Sequence, residues 1–277
     1  MKKIILSLIL ASSLAVPAFA ASWNAVNRVP VVGKQVLGKN SLPSNAKFVI
    51  TETAVTNSTS NTNNEIYIQK TDLGYTGNDN EVAAIVAKEL GIIINANASK
   101  KKFVSNIASA LAGSITDESA QNKALIINEL TMNNMSEKDQ MNADVTGTDL
   151  MIQAGYNPLA MIVVLGKMPG STMDTLKSQP NNFKRSMYIY DYLSYNYPSK
   201  VKAGYNCKEY KNFLAYIQPT IDERKSNKAK LAKFEKEQAK LKKERAKQIA
   251  KYKATGGLNG WDASYTILKN LSESSEK

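Results

Sequence analysis

Histidine is absent from all 277 residues, and cysteine occurs once, at Cys207. The first absence removes imidazole as a metal ligand, as a general base and as the partner of a nucleophile. Neither a Ser-His-Asp nor a Cys-His arrangement can be built. The second leaves no internal disulfide, only an intermolecular one. Cys207 reads as an inert, half-buried thiol, because no histidine activates it. Serine and lysine are abundant, but no spacing between them favours a Ser-Lys dyad. The chain has no G-x-x-x-x-G-K-[ST] loop, no G-x-G-x-x-G after a strand and no Asp-rich calcium-loop spacing.

Long apolar runs are also scarce. Lys2 and Lys3 followed by the apolar stretch Ile4 to Val16 and by Pro17-Ala18-Phe19-Ala20 read as a secretory signal with an A-x-A cleavage site. The apolar part is shorter than the roughly 20 residues a spanning helix needs. No cysteine follows the cleavage site. Residues 1–20 are therefore expected to be removed, leaving 257 residues exported to a periplasm or to the outside of the cell. That length suffices for one full-size core with chain left over.

Acidic excess is missing, and the basic excess is local. The net charge is +12. Two of those charges sit in the signal. Residues 224–253 carry 13 Lys/Arg and 3 Asp/Glu, a net of ten, so the remaining chain is neutral. The segment fits three roles: a solvated helix, a contact with an anionic envelope surface, or a helix for a protein partner. Nucleic acid is not expected as a partner of an exported chain. For the anionic surface the pattern singles out Lys233, Lys236, Lys240, Lys243, Lys247 and Lys251.

Local patterns divide the chain. Residues 22–45 form a mixed lead-in with Val31, Val32, Val36 and Leu37. Phe48 to Thr53 and Glu65 to Gln69 read as strands flanking a polar Ser/Thr/Asn loop. Gly74 to Asn78 is a turn, and Asn78 or Asp79 is placed to cap a helix with Glu81 close behind. That helix is expected to reach about Ile94, with Val82, Ile85, Val86 and Glu89 on one face. Further helices are expected over 103–111, 119–132, 136–154, 159–165 and 181–195, with Gly155-Tyr156-Asn157-Pro158 as a break. From about Cys207 one long helix runs to Ala254, with Pro219 as a candidate kink. Leu231, Phe234, Leu241 and Ile249 make a thin stripe there, interrupted by Gln238 and Arg245, so no heptad coiled coil is expected. The class is α+β, mainly helical, with a small strand layer. The expected units are 1–20, 21–205, 206–255 and a tail over 256–277.

Asn80 to Ile92 reads as a helix built around an H-E-x-x-H frame, in the form Lys88-Glu89-Leu90-Gly91-Ile92. Three further stretches follow in order: Ser136 to Asp144, Ala154 to Met161 (A-G-Y-N-P-L-A-M), and Ser178-Gln179-Pro180 with Arg185 downstream. Together, over about residues 45 to 200, they resemble the zinc metallopeptidase family of HtpX, BepA and the CAAX prenyl proteases. The resemblance implies a zincin-like domain. Family histidines correspond to Lys88, Ile92 and Gln179, and the family's metal-binding glutamate corresponds to Gln140. Glu89, the family's general base, and Asp144 are kept. Zinc is expected to be lost, and Glu89 would then face water whose pKa no metal has lowered. Glu89 is expected to be a buried acid paired with a cation. Lys88 is either that cation or a partner of Asp144. Asp144 is expected to orient helices as a hydrogen-bond acceptor, and Gln179-Pro180 to be a loop.

The expected function is an exported pseudopeptidase, a binding or scaffold module for peptides or envelope proteins. Its old groove would take a peptide along the strand at Ile66-Tyr67-Ile68. Two alternatives remain open. One is an active zinc-dependent metalloendopeptidase, its metal held by Glu89, Asp144 or other oxygen donors alone. The other is a purely structural envelope protein with an empty groove.

Overall fold

A computed structural model describes residues 23–40, 42, 46–52, 65–111, 137–169 and 182–254. The signal, the helix expected over 119–132, Gln179-Pro180 and the tail over 256–277 lie outside them. The described chain is mainly helical, with one two-stranded parallel sheet. None of its helices is long and apolar enough to cross a membrane.

The lead-in over 22–45 proves to contain a helix, α1 (Ala25–Lys39). Asn24 caps it by accepting from the Asn27 N–H, and Val29, Val32 and Val36 share its fully buried face. Pro30 lies inside α1 but on the exposed side, so its ring does not disturb that face. Strands β1 (Lys47–Thr51) and β2 (Glu65–Gln69) pair in parallel with Phe48 opposite Ile66 and Ile50 opposite Ile68. Ile66 and Ile68 are fully buried, as the alternation of β2 requires. Phe48 packs its ring over Gly33 of α1, where a Cβ would come within 2.2 Å of the ring.

After β2 comes the single turn α2 (Lys70–Leu73), then α3 (Asp79–Leu111), a single helix where two were expected. Val82 to Ala87, Leu90, Ile93 and Ile94 of α3 are buried. Helix α4 (Glu137–Gln153) packs closely on α3. A Cβ on Gly91 would lie 2.2 Å from the Ala143 carbonyl oxygen, and one on Gly147 2.8 Å from that of Ala87. The two backbones touch there, and only glycine permits it. Asn95 stitches the seam, donating to the Gly91 carbonyl at 2.8 Å and to the Thr146 hydroxyl at 3.0 Å.

Gly155, at φ +83°, turns the chain into α5 (Leu159–Lys167), whose residues 159–165 are all buried. The Asn157 side chain accepts from the Leu159 N–H at the start of α5. Helices α6 (Asn182–Asn196) and α7 (Pro198–Ala203) follow. The expected long C-terminal helix is two helices, α8 (Lys208–Ser226) and α9 (Lys228–Ala254). Pro219 sits within α8, and the break comes at Asn227. The reason is chemical: the Asn227 side chain accepts from the N–H groups of Ala229 and Lys230, starting a new helix. Gln238 and Arg245, expected to interrupt the stripe of α9, are buried beside Leu241 at spacings of three and four residues. They belong to the face that packs on α6.

Candidate functional site

The turn before α3 is tied down tightly. Asn78 accepts from the Glu81 N–H, and Glu81 accepts in return from the Gly77 N–H at 2.7 Å. Asn78 is thus the cap, as expected from the sequence, and Glu81 reaches back one residue beyond it. Glu81 is buried, and the Lys167 ammonium at 2.8 Å meets its charge. Tyr205 donates to Asn78 at 3.0 Å, and Arg28 clasps Asp79 with two bonds of 2.6 and 2.8 Å. The start of α3 is thus fixed to α1, α5 and the segment before α8. Two helical turns further on, that rigidity places Lys88 and Glu89.

Lys88 lies 2.9 Å from Asp72 on α2 and 3.1 Å from its neighbour Glu89. Its side chain is 14% exposed, Glu89 14% and Asp72 19%. Burial alone would lower the lysine pKa. Glu89 and Asp72 outweigh it against opposition from Arg185, and the ammonium is held above its ordinary value. Asp144, only 2% exposed, is gripped by Arg185 of α6 through Nε at 2.7 Å and Nη2 at 2.6 Å. Arg185 also donates to Asn182 at 3.3 Å. Three acids and two cations therefore meet where α2, α3, α4 and α6 converge.

Glu89 is paired with Lys88, as expected. The pairing of Lys88 with Asp144 is not found: Asp144 takes Arg185, and Lys88 takes Asp72 as its second acid. Fork geometry explains the choice. A guanidinium satisfies both oxygens of a buried carboxylate at once, whereas an ammonium is a point charge suited to bridging two acids. Asp72 was not singled out in the sequence, because nothing in Lys70-Thr71-Asp72-Leu73 indicates a long-range partner. Ile92 and Gln140 are both half-buried, on α3 and α4.

Zinc requires several donors with lone pairs to share. The Lys88 nitrogen carries its proton, Ile92 offers no donor atom, and both oxygens of Asp144 accept from Arg185. Among the described residues, no group of three or more His, Cys, Asp or Glu could hold a metal ion. The donor set does not suit zinc.

A second charged site lies deeper and was missed from the sequence. Asp149 of α4 is fully buried and bonds Arg245 of α9 at 2.5 Å. The Tyr192 hydroxyl donates to the same carboxylate at 2.8 and 2.9 Å, and the Arg245 guanidinium stands 5.5 Å from the Tyr192 ring centre. Burial pushes the Asp149 carboxyl up to about 6, although Arg245 and the tyrosine hydroxyls pull the other way. The one available signal was an acid set between Val145 and the apolar pair Leu150 and Met151.

A cavity of about 280 Å³ opens between α5, α6 and α8, lined among others by Ile162, Phe183, Glu209, Phe213 and Tyr216. Tyr216 is 72% exposed and stands edge-on to Phe183 at 4.7 Å. Cys207 caps α8, its sulfur accepting from the Tyr210 N–H at 3.4 Å. Burial raises its pKa, as an inert thiol requires. Lys233, Lys236, Lys240, Lys243 and Lys247 are exposed along α9, and the side chain of Lys251 lies outside the described residues. Neither a protein-family model nor a curated protein nor a solved structure matches this chain.

Proposed function

We propose that this chain is an exported, non-catalytic relative of the zinc metallopeptidases, working as a binding or scaffold module for peptides or envelope proteins. The observation that carries this reading is the Lys88 ammonium, 2.9 Å from Asp72 and 3.1 Å from Glu89. A lysine charge takes the place a zinc charge would have, and it neutralises the glutamate that would otherwise act as base. On this reading the helix and turns of the resembled frame are kept and its chemistry is replaced by ion pairs. Such a site keeps the shape around it, because a buried acid without a cation would destabilise the fold.

Binding has two seats available. An extended peptide would run along the strand at Ile66-Tyr67-Ile68. The cavity at Phe183, Phe213 and Tyr216 would take an apolar side chain.

The deciding experiment is the metal content of purified residues 21–277 after dialysis against zinc and then metal-free buffer, paired with a protease assay. The reading expects well under one zinc per chain and no cleavage. Stoichiometric zinc, with cleavage that Glu89→Gln abolishes, would establish the active metalloendopeptidase instead. A mature chain that binds neither metal nor any member of a peptide library would point to a purely structural envelope protein.

A further inference from the structure

Helix α9 has two faces of opposite character. Gln238, Leu241 and Arg245 form the buried one, locked down by the Arg245–Asp149 pair. Lys233, Lys236, Lys240, Lys243 and Lys247 follow each other at spacings of three, four, three and four residues. At 3.6 residues per turn these positions fall within about a quarter of the helix circumference, directly opposite the buried face. They make a ridge about 21 Å long, at 1.5 Å rise per residue. All five are exposed.

The acids of α9 do not cancel this ridge. Glu237 and Glu244 stand beside it, each 4.0 Å from one lysine, Lys233 and Lys240 respectively. Glu244 is shared with Lys138 of α4 at 2.5 Å, which draws it toward the domain. The ridge offers no concavity and no rigid fork. Point charges in a row on a convex surface suit a flat array of negative charges rather than a shaped ligand. No large apolar side chain stands among them, so adsorption would be electrostatic and free of insertion.

We propose that this lysine ridge docks the protein on the surface of an anionic phospholipid bilayer. The fold presents the ridge: the Arg245–Asp149 bond fixes the rotation of α9 about its axis, and that rotation points the lysines away from the domain. The proposal is independent of the fate of the zinc site.

The test is co-sedimentation of residues 21–277 with vesicles of phosphatidylcholine, with and without phosphatidylglycerol. Binding is expected only with phosphatidylglycerol, and is expected to fade as salt shortens the Debye length to about 3 Å at 1 M. At roughly fivefold in partition per surface lysine, Lys236→Gln/Lys243→Gln/Lys247→Gln should lower binding about 100-fold. Its circular dichroism and melting should match the parent, because all three side chains are exposed. A variant that binds like the parent overturns the proposal, as does equal binding to neutral vesicles. So does capture of a soluble polyanion such as polyphosphate without any binding to the vesicles.

Discussion

Two charged sites bridge α4 and α6, and they solve the same problem differently. At the rim, Asp72, Lys88, Glu89, Asp144 and Arg185 share charge among five groups, most still touched by solvent. In the core, Asp149 meets one cation, Arg245, and the exposures are 0% and 8%. Redundancy of charge protects the rim site: Lys88 meets two acids, and Glu89 and Asp72 also feel the Arg185 charge. The core site has no such reserve. Its acid is held by one guanidinium and by tyrosine hydroxyls, and burial has already pushed its pKa up to about 6. The rim site is thus expected to be the more tolerant of the two, and the core site the more exacting.

The largest effect should come from breaking the core pair. Arg245→Ala leaves Asp149 without its cation in an apolar setting, a loss of about 3–5 kcal/mol. Chemical unfolding of the variant measures it. Asp149→Leu combined with Arg245→Met should recover most of the loss, because the charge and its partner leave together. A double variant as unstable as the single one would show that packing of Arg245, rather than its charge, carries the effect.

The pH dependence of stability separates the sites next. The folded pKa of Asp149 lies above its ordinary value of 3.8, so the folded chain takes up this proton first as pH falls. The contribution is fully present below about pH 4 and is lost as pH rises through about 6. Two pKa units correspond to about 3 kcal/mol. Asp149→Asn should flatten this part of the profile, measured as the difference between parent and variant from pH 4 to 7. An unchanged difference across that range would mean the carboxyl is already ionised at pH 4 in the folded chain.

A smaller loss should follow at the rim. Lys88→Ala takes the shared cation from Asp72 and Glu89, but water reaches all three, so the cost should be about 1–2 kcal/mol. Melting temperature reads it directly. A loss as large as that of Arg245→Ala would remove the distinction between the two sites.

The sequence made one part of this comparison legible and hid the other. Strands 47–51 and 65–69, the Asn78 cap and the Gly155 break are local, and their residues announce them. Helix α1 is also local, but Pro30 and Gly33 masked the Val29, Val32, Val36 spacing that reveals it. The charge partners are a different matter. Arg185 lies 41 residues from Asp144 and Arg245 lies 96 from Asp149. Only the close approach of α3 and α4 at Gly91 and Gly147, and the rotation of α9, decide which cation reaches which acid. On the page, Gln238 and Arg245 looked like interruptions of an apolar stripe. They are the stripe, because a guanidinium with a buried carboxylate to meet is as suited to the interior as leucine.

The smallest stability effect is expected on the outer face of α9, and it sharpens the contrast most. Lys233 and Lys240 each stand 4.0 Å from an acid one turn on, at 78% and 76% exposure. Exposed pairs of this kind contribute under about 0.5 kcal/mol. Lys233→Gln/Lys240→Gln should therefore leave the unfolding midpoint where it was. Arg245, buried on the reverse side of the same helix, should dominate its stability. If the outer lysines contribute nothing to folding, then any loss on their removal appears only when an anionic surface is present. A shift in midpoint in plain buffer would instead mean that the ridge holds α9 in place, and that its lysines belong to the fold rather than to a partner.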